Sequence, residues 1–453
     1  MGTINKKIIG FASLLAFWPL ILATGTLAQD APDLKTVRAS AVRGKRPLVI
    51  IPGILGSELV NKHSGEKVWF NLRRSKVDDL KLPVSPAIAR SRDNLVPGDI
   101  LRSIKFLFAS QDFYGGFTES VVKYGDYEEA SFDKPPASLN DKVFVFPYDW
   151  RRDNVETARL LVRKLAALKK ASGEKEVKFD IVAHSMGGLI ARYAAMYGDR
   201  DLPVRRPRPN WRGAVLINSI HMFGTPNHGA ADSFQVLLEG FGAVKGINLP
   251  FVRDLSPVEV FTMPALFQLL PHSDVDMFYD EDLKPLKVDI YNYRTWEKYR
   301  WSIYGEDGIF DRYTEGEIAR MEQYLEAVLK RARAFQGALD AGFAGPVRIV
   351  SYGSDCTDTA DGYLLLKRNG TETWTTLTRP QEFTNSRGEK VGIRTVRSVM
   401  IKPGDGRVAR RSVLSGLPDN AESHFECAGH DGLLSNSRFQ RMILNRLAVN
   451  PSD

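Results

Sequence analysis

The residues with the clearest chemical potential are Ala183 to Gly188, which read AHSMGG. A serine between a buried strand and a helix, with small neighbours, is typical of the G-x-S-x-G turn that projects a nucleophilic oxygen from the edge of a sheet. Ala183 replaces the first glycine, and its methyl group is small enough for a crowded turn. Ser185 is therefore the candidate nucleophile. The alternative is an ordinary strand-to-helix turn whose serine caps the helix.

A serine nucleophile needs N–H donors for the oxyanion that forms when it attacks a carbonyl. One donor should be the backbone N–H of Met186, and the second should come from the loop after an early strand. The turn Pro52 to Ser57 (PGILGS) follows such a strand, and Ile54 N–H is the best candidate within it. The alternative is a simple glycine-rich turn, because Pro-Gly is common in turns.

The general base should be a late histidine, because the order in this kind of site is serine, acid, histidine. His424 and His430 qualify, and His430 is preferred because it lies in the turn-like sequence AGHDGLL before a final helix, whereas His424 abuts a predicted strand. His184 is interpreted as packing support beside the nucleophile. His221 and His228 flank a turn after a strand, where a loop role is the default and substrate contact is the alternative.

The acid must orient the imidazole and stabilise its cation. Asp355, Asp358 and Asp361 directly follow the predicted strand VRIVSY, whereas Asp405 lies further on in GDGRV. Spacing alone leaves all four open.

Strands and helices alternate in the first half of the chain, which predicts an α/β fold with a mostly parallel sheet covered by helices on both faces. Short apolar runs predict buried strands at 47–51, 177–183 and 213–219, and periodic stretches predict helices at 153–171 and 186–197. Asp153 or Asn154 can cap the first helix, and Gly173 can end it.

The pattern changes to aromatic-rich, proline-broken segments at residues 231–344, which we interpret as an inserted cap that ends in a charged helix at about 315–339. Residues 29–230 would form the first part of the core and residues 345–453 the second. Strand character returns at 347–352, and a hairpin is predicted through 362–368 and 396–401.

The first 28 residues have the features of a signal peptide: Lys6 and Lys7 precede an apolar run that ends in Thr-Leu-Ala. The sequence therefore predicts export, periplasmic or extracellular, with a mature chain from about Gln29. An uncleaved membrane anchor is the alternative, because the run is long enough to span a bilayer.

The composition bears on the class of protein, on its cysteines and on its partners. The 453 residues are 43% hydrophobic and 26% charged, which is typical of a globular protein. In an oxidising compartment the two cysteines, Cys356 and Cys427, favour one disulfide. The net charge is +8, or +6 once Lys6 and Lys7 are removed with the predicted signal peptide. This excess is compatible with contact to an anionic membrane surface, and a well-solvated basic surface is the alternative. Basic residues are interspersed with acidic ones, so no nucleic-acid partner is expected.

Five blocks in order carry a family resemblance: PGILGSEL (52–59), PYDWR (147–151), AHSMGG (183–188), GDGRV (404–408) and His430. Together they resemble the lecithin:cholesterol acyltransferase family, which includes lysosomal phospholipases. The resemblance implies an α/β-hydrolase fold, Asp405 as the acid, Ile54 as an oxyanion donor and a lipid acyl donor, with a phospholipid as the expected substrate.

The chain departs from the family in two places. Arg407 replaces the usual threonine beside the acid, which leaves the hydrogen bonding there open. No cysteine pair follows Leu59, where vertebrate members carry a lid disulfide, so a lid over about 60–100, around Val68 to Phe70, would be looser. The alternative for that segment is an apolar loop packed on the cap.

The block PYDWR is interpreted as structural support, in which Asp149 caps a helix or pairs with Arg151 or Arg152 and so holds Tyr148 and Trp150 near the pocket.

The sequence thus predicts a serine acyl hydrolase or O-acyltransferase acting on lipid esters, with no metal and no cofactor required. One alternative is a carboxylesterase or lipase that uses only water as acceptor, and a second is a non-catalytic lipid-binding protein on the same scaffold. The sequence leaves the oligomeric state open.

Overall fold

The computed structural model describes residues 31–71, 80–106, 109–204, 207–242, 254–305, 312–341, 345–367, 373–418 and 421–450. The strands within these ranges are β1 (Leu48–Ile51), β2 (Ser57–Asn61), β3 (Lys67–Trp69), β4 (Leu95–Ile100), β5 (Ser103–Phe106), β6 (Ala109–Asp112), β7 (Glu128–Ala130), β8 (Lys142–Val145), β9 (Phe179–His184), β10 (Ile217–Phe223), β11 (Phe278–Tyr279), β12 (Pro285–Leu286), β13 (Arg348–Gly353), β14 (Thr357–Ala360), β15 (Tyr363–Lys367), β16 (Trp374–Leu377), β17 (Phe383–Thr384), β18 (Lys390–Val391), β19 (Ile401–Gly404) and β20 (Glu422–Phe425).

The α-helices are α1 (Ala31–Ser40), α2 (Gly115–Gly125), α3 (Asn154–Ser172), α4 (Met186–Tyr197), α5 (Ala231–Glu239), α6 (Pro257–Phe261), α7 (Pro264–Phe267), α8 (Tyr293–Lys298), α9 (Glu315–Leu339), α10 (Ile393–Met400), α11 (Arg410–Leu414) and α12 (Ser437–Leu444). Short 3-10 turns lie at Ile88–Arg90, Arg212–Val215, Ser302–Tyr304 and His430–Gly432, and a π-turn follows α12 at Asn445–Val449.

Seven strands form one sheet in the order β20-β13-β10-β9-β1-β8-β7, and every neighbouring pair is parallel. In β1, Val49 and Ile51 belong to the same apolar cluster as α3 and α4. Leu48 and Ile50 point to the opposite face and pack with α1, α2 and α12. Both faces are covered, which explains why the strand is a continuous apolar run rather than an alternating one. The predicted α/β class is confirmed.

Several predicted elements match the structure within one or two residues. The helix α3 is capped by Asp153, whose Oδ1 accepts the Glu156 N–H at 3.0 Å, and it ends at Gly173 with φ 72°. The charged helix predicted at 315–339 is α9, and the Thr314 hydroxyl and the Glu317 carboxylate form a capping box at its start.

Two local predictions were wrong. Residues 213–216 do not belong to the strand predicted at 213–219, because residues 212–215 form a 3-10 turn against α4, so β10 begins at Ile217. Residues 396–400, predicted as part of a hairpin, lie in α10. Val396 and Met400 are its buried residues, and their spacing of four suits one face of a helix.

The segment between β10 and β13 carries the helices α5 to α9 and the short strands β11 and β12. Its short strand β11 pairs with β12 and also with β15, which lies after β13 in the chain. The resulting four-stranded sheet, β12-β11-β15-β16, therefore joins residues of the predicted cap to the segment at 363–377. The domain limits of 231–344 for the cap and 345–453 for the second part of the core remain predictions.

Two strands of the segment predicted as a lid, β3 and β4, pair with β2 on either side and form a three-stranded antiparallel sheet, β3-β2-β4. Trp69, at the end of β3, is buried; its indole N–H donates to the Leu55 carbonyl at 2.9 Å, and its ring packs against Trp150. Residues 72–79 lie outside the described ranges, and opening of a lid at 60–100 remains a prediction.

The predicted signal peptide, residues 1–28, also lies outside the described residues. Among the helices that the structure describes, none has both the length and the apolar character required to span a bilayer.

A disulfide joins Cys356 to Cys427, with a Cα–Cα distance of 5.4 Å. Cys356 lies between β13 and β14, and Cys427 lies just after β20, three residues before His430. The bond therefore holds the loop that carries His430 to the neighbouring loop of the sheet.

The double variant Cys356→Ser/Cys427→Ser should lose about 2–4 kcal/mol of unfolding free energy, because the bond closes a loop with a sequence separation of 71. Urea unfolding without reductant measures this loss. Treatment of the wild type with a thiol reductant should give a similar loss, and equal midpoints with and without reductant would contradict a stabilising disulfide.

Candidate active site

Ser185 lies at the junction of β9 and α4 with φ 53° and ψ −125°. L-residues other than glycine rarely adopt a positive φ, and such a backbone costs on the order of 1–3 kcal/mol. The Ser185 N–H donates to the Phe223 carbonyl at 2.7 Å, and the Gly188 N–H donates to the Ser185 carbonyl at 3.0 Å. These bonds hold the strained turn in place.

Glycines allow three chain segments to meet at this turn. A Cβ atom at Gly187 would lie 2.6 Å from the Pro52 carbonyl oxygen, and one at Gly188 would lie 2.0 Å from Thr225 Oγ1. A Cβ atom at Gly53 would lie 2.9 Å from Ser185 Cβ. No side chain fits at these three positions, so the small residues of the motif are required by close packing.

The predicted serine, histidine and acid lie in hydrogen-bonding distance of one another. His430 Nε2 is 2.9 Å from Ser185 Oγ, and His430 Nδ1 is 2.7 Å from Asp405 Oδ2. All three side chains are at least nine-tenths buried. The arrangement allows His430 to accept the hydroxyl proton while Asp405 orients its ring.

The loop that carries Asp405 is fixed by its own hydrogen bonds. Asp405 Oδ1 accepts the N–H groups of Arg407 at 2.9 Å and Val408 at 2.7 Å, and the His430 N–H donates to the Asp405 carbonyl at 2.8 Å. Residue 407 therefore contributes its backbone to the acid. The sequence left open how Asp405 is hydrogen-bonded when Arg407 replaces the usual threonine. These hydrogen bonds come from backbone N–H groups, so they do not require the side chain of residue 407.

Burial would lower the pKa of His430, but the Asp405 carboxylate outweighs that effect, so the pKa is raised above its ordinary value. The converse holds for Asp405: burial would raise its pKa, but His430 and the two N–H donors lower it below the usual range. Asp405 is thus held as a carboxylate, and its charge stabilises a protonated His430.

The rival acids are engaged elsewhere. Asp355 lies near Arg410 at 3.3 Å, and Asp361 pairs with Arg411. Asp358 pairs with Arg397. Each of these carboxylates is therefore part of an ion pair with an arginine of the following segment.

Two other histidines named from the sequence lie among partners other than Ser185 and Asp405. His424 lies within β20, 3.6 Å from Glu422, and His221 is buried in β10 between Ser219 and Tyr352. The turn after β10 does reach the site through Gly224. A Cβ atom there would lie 3.0 Å from both Asp405 Oδ2 and His430 Nδ1.

Tyr114, which sequence reasoning missed, contacts the turn at Gly53 and the side chain of His184, and His184 in turn contacts the loop of His430. The Gly53 N–H donates to the Tyr114 hydroxyl oxygen at 2.9 Å, and the same hydroxyl lies 2.9 Å from His184 Nδ1. His184 Nε2 lies 3.0 Å from the His430 carbonyl oxygen. A carbonyl can only accept, so His184 carries its proton on Nε2, and the Tyr114 O–H donates to Nδ1.

This assignment requires a neutral His184. Burial, followed by the proximity of His430, lowers the pKa of His184 to about 4, so the ring is neutral near pH 7. Burial also raises the pKa of Tyr114, which keeps its hydroxyl protonated. His184 was interpreted as packing support, and the structure adds a polar role: it links the loop of His430 to the turn at Gly53.

The block PYDWR supports the turn at Pro52 to Ser57. The Tyr148 hydroxyl donates to the Pro52 carbonyl at 2.8 Å, and the Trp150 indole N–H donates to the Ser57 carbonyl at 3.1 Å. Ile54 lines the cavity beside Ser185, and Met186 follows Ser185 as the first residue of α4. Their roles as oxyanion donors remain predictions.

Arg151 anchors this block from within the core. Its side chain is fully buried and pairs bidentately with Asp149, at 2.8–2.9 Å, and with Asp93, at 2.6–3.0 Å. Of the roles left open for Asp149, the structure shows pairing with Arg151, while Asp153 caps α3. The ion pairs compensate for the burial of the guanidinium.

Ser185 and His430 open into a cavity of about 590 Å³. Its walls are mostly apolar and include Leu101, Phe113, Val236, Met263, Leu266 and Leu269. Arg407 also lines the cavity and pairs with Asp232 at 2.7 Å, a contact between distant segments that the sequence did not reveal. The cavity therefore suits an apolar chain with a polar group near the serine.

Replacement of Tyr114 by Phe should lower kcat by about 10–100-fold, because the Gly53 N–H and His184 both lose a buried partner and the turn beside Ser185 shifts. Tyr127→Phe is the matched control, since this buried hydroxyl donates to the Leu447 carbonyl at 3.1 Å, away from the site. Steady-state ester hydrolysis and thermal unfolding separate the two effects. An equal kcat in both variants would contradict the positioning role of Tyr114.

Comparison with known proteins supports the motif-based resemblance. The sequence profile of the family "Lecithin:cholesterol acyltransferase" matches residues 137–336, a range that contains PYDWR and AHSMGG. A curated relative, the lecithin-cholesterol acyltransferase-like 4 protein of Arabidopsis thaliana, is 29% identical over 171 residues. This match covers 32% of the present chain and 29% of the relative's length, so the chain spans less than a third of that protein.

Among solved structures, the chain is similar to one described as the crystal structure of the Tle4–Tli4 complex, with a TM-score of 0.52 and 16% identity over 88% of this chain and 97% of that one. The mature form of Bacillus licheniformis lipase BlEst2 gives a TM-score of 0.34 and 9% identity, over 89% and 93% of the two chains. The similarity to the first of these structures, together with the parallel seven-stranded sheet, confirms the predicted α/β-hydrolase fold. The resemblance predicted from the motifs is confirmed for residues 137–336, the range that the profile of this family matches.

Proposed function

We propose that this protein is an exported serine acyl hydrolase or O-acyltransferase that acts on lipid acyl esters, with Ser185, His430 and Asp405 as its catalytic residues. The observation that carries the proposal is the chain of hydrogen-bonding contacts from Ser185 through His430 to Asp405 at the wall of an apolar cavity. Ser185 Oγ and His430 Nε2 are 2.9 Å apart, and His430 Nδ1 and Asp405 Oδ2 are 2.7 Å apart.

In the first half of the reaction, Ser185 Oγ attacks the ester carbonyl carbon while its proton passes to His430 Nε2. Asp405 stabilises the resulting imidazolium. His430 then returns the proton to the oxygen of the leaving alcohol as the C–O bond breaks. The acyl group remains as an ester on Ser185.

In the second half, water or an alcohol attacks this acyl-enzyme. His430 accepts the proton of the attacking hydroxyl and delivers it to Ser185 Oγ when the acyl–serine bond breaks. Water gives a fatty acid, and an alcohol gives a new ester. In both halves the Ile54 and Met186 N–H groups are the proposed donors to the oxyanion.

The proposed acyl donor is a phospholipid. The family description names lecithin, and the cavity offers apolar walls for an acyl chain with Arg407 and Asp232 at its polar end. The full chain has a net charge of +8, and without Lys6 and Lys7 of the predicted signal peptide it keeps +6, which suits peripheral contact with anionic lipid surfaces. Export is supported by the disulfide, because such bonds persist in oxidising compartments.

Ser185→Ala should lower esterase activity toward a long-chain ester by about four to six orders of magnitude, because no other group takes the place of the nucleophile. Ser120→Ala is the matched control, since Ser120 is buried in α2 and its hydroxyl donates to Gln440, on the opposite side of the sheet from α4. The control should keep wild-type turnover. Undiminished turnover by Ser185→Ala would overturn the proposal.

The same proteins, incubated with a defined phospholipid with and without a long-chain alcohol, identify the acceptor. We expect the wild type to release a fatty acid from the phospholipid and to form an additional ester when the alcohol is present. Fatty acid as the only product in both cases would make the protein a lipase or carboxylesterase with water as sole acceptor. Failure to cleave any phospholipid while cleaving simple esters would exclude the phospholipid donor.

The rate should fall as the pH decreases through the raised pKa of His430, because protonation removes the general base. Asp405→Asn removes the charge that raises this pKa, so the acidic limb of the kcat/KM profile should move to lower pH while the maximum rate falls by on the order of 10⁴-fold. Since the pKa of His184 is about 4, His184 does not produce this limb.

Asp355→Asn is the control for this profile, because Asp355 was a rival acid and its carboxylate instead lies near Arg410. It should leave the limb and the rate unchanged. An acidic limb at the same pH in Asp405→Asn and the wild type would contradict the assignment of Asp405.

A further inference from the structure

Two imidazoles and a carboxylate converge at a second place in the fold, which the proposed reaction does not use. His228 lies in the turn after β10, His272 follows α7, and Asp340 ends α9. One nitrogen of each histidine and one carboxylate oxygen lie within 4.8 Å of one another. A second carboxylate, that of Asp274, has its Oδ1 3.3 Å from His228 Nε2.

One buried nitrogen of this cluster, Nδ1 of His272, makes no hydrogen bond with the residues that the structure describes. His272 is only 5% exposed, and its Nδ1 lies 2.8 Å from Asp340 Oδ2 without the alignment of a hydrogen bond. The centroids of the two imidazole rings are 4.2 Å apart, so both rings lie around the same small volume. A metal ion bound there would give the buried Nδ1 of His272 a partner.

The position of Asp340 also favours a cation. It is the C-terminal capping residue of a 25-residue helix, where the helix dipole is negative and a carboxylate is unfavourable on its own. The Arg192 guanidinium already donates to the Leu339 carbonyl at 3.1 Å and provides one positive charge nearby. Arg411, which also faces His228, is paired with Asp361. Asp274 and Asp340 thus place two negative charges at the cluster, against the one positive charge of Arg192.

We propose that His228, His272 and Asp340, with Asp274 as the fourth ligand, bind a divalent transition metal, and that the His₂Asp₂ donor set selects Zn²⁺. Tetrahedral zinc with bonds of about 2.0–2.1 Å needs donor atoms about 3.3 Å apart. The carboxylates of Asp274 and Asp340 are exposed and can rotate to close the distance.

Four protein ligands make this a closed site with a structural role. His228 lies between Pro226 and Ala230, and both of these residues line the cavity next to Ser185. His272 lies three residues after Leu269, which also lines the cavity. A bound metal would join these two parts of the cavity wall to the end of α9. The inference concerns metal binding alone and does not depend on the proposed reaction.

The test uses the full chain, stripped with a chelator and titrated with ZnCl₂. We expect about one zinc per chain by elemental analysis after gel filtration, and a rise in the thermal unfolding midpoint of about 3–5 °C at saturating zinc. Binding of less than about 0.2 zinc per chain, or an unchanged midpoint, would overturn the proposal.

The variant His228→Gln/Asp340→Asn removes two ligands outside the fully buried part of the cluster, so the chain should still fold, and it should lose both the zinc and the rise in midpoint. His424→Gln is the matched control, since His424 is a partly exposed histidine near the Glu422 carboxylate, and it should bind zinc like the wild type. Zinc retained by the double variant would place the metal elsewhere, for example at His430, and would also overturn the proposal.

Discussion

The site depends on the backbone of Ser185, which is held in a conformation that an isolated chain would rarely adopt. Its φ of 53° is compatible with the fold because β9 enters the turn from the centre of a parallel sheet, while α4 leaves it at once. The segments that compress the turn approach within 2.0–2.9 Å of where glycine Cβ atoms would be. The stability of the surrounding sheet therefore maintains the strain that exposes the serine oxygen.

The polar groups around this turn form connected hydrogen bonds, and each one fixes a different loop. Tyr114 and His184 link the Gly53 turn to the loop of His430, while Tyr148 and Trp150 hold the two ends of the Pro52 to Ser57 turn. These donors and acceptors are buried, so the loss of one partner leaves another group without its hydrogen bond in a low-dielectric interior. Residues outside the group of Ser185, His430 and Asp405 thus determine where the proposed oxyanion donors would lie.

Charge is distributed so that Asp405 and His430 stabilise each other's charged forms. Asp405 remains ionised despite burial because His430 and two backbone N–H groups surround it, and its charge raises the pKa of His430. The adjacent Arg407 is itself neutralised by Asp232, so it does not cancel the effect of Asp405. The substitution of arginine for threonine therefore changes the polar end of the cavity while the hydrogen bonds of the acid are made by the backbone.

The sequence by itself determined the features that depend on neighbouring residues: the buried strands, the caps of α3, the serine turn and the preference for His430. These follow from hydrophobic periodicity and turn chemistry, which are local. Family resemblance was needed to favour Asp405, because four carboxylates had suitable spacing. Only the tertiary structure shows which of the four lies beside His430: Asp405 directly follows β19, which pairs with β14, and its carboxylate lies 2.7 Å from His430 Nδ1. Tyr114 and the cluster of His228, His272 and Asp340 were invisible in the sequence for the same reason: their partners are 44 to 112 residues away, and only long-range packing brings such groups together.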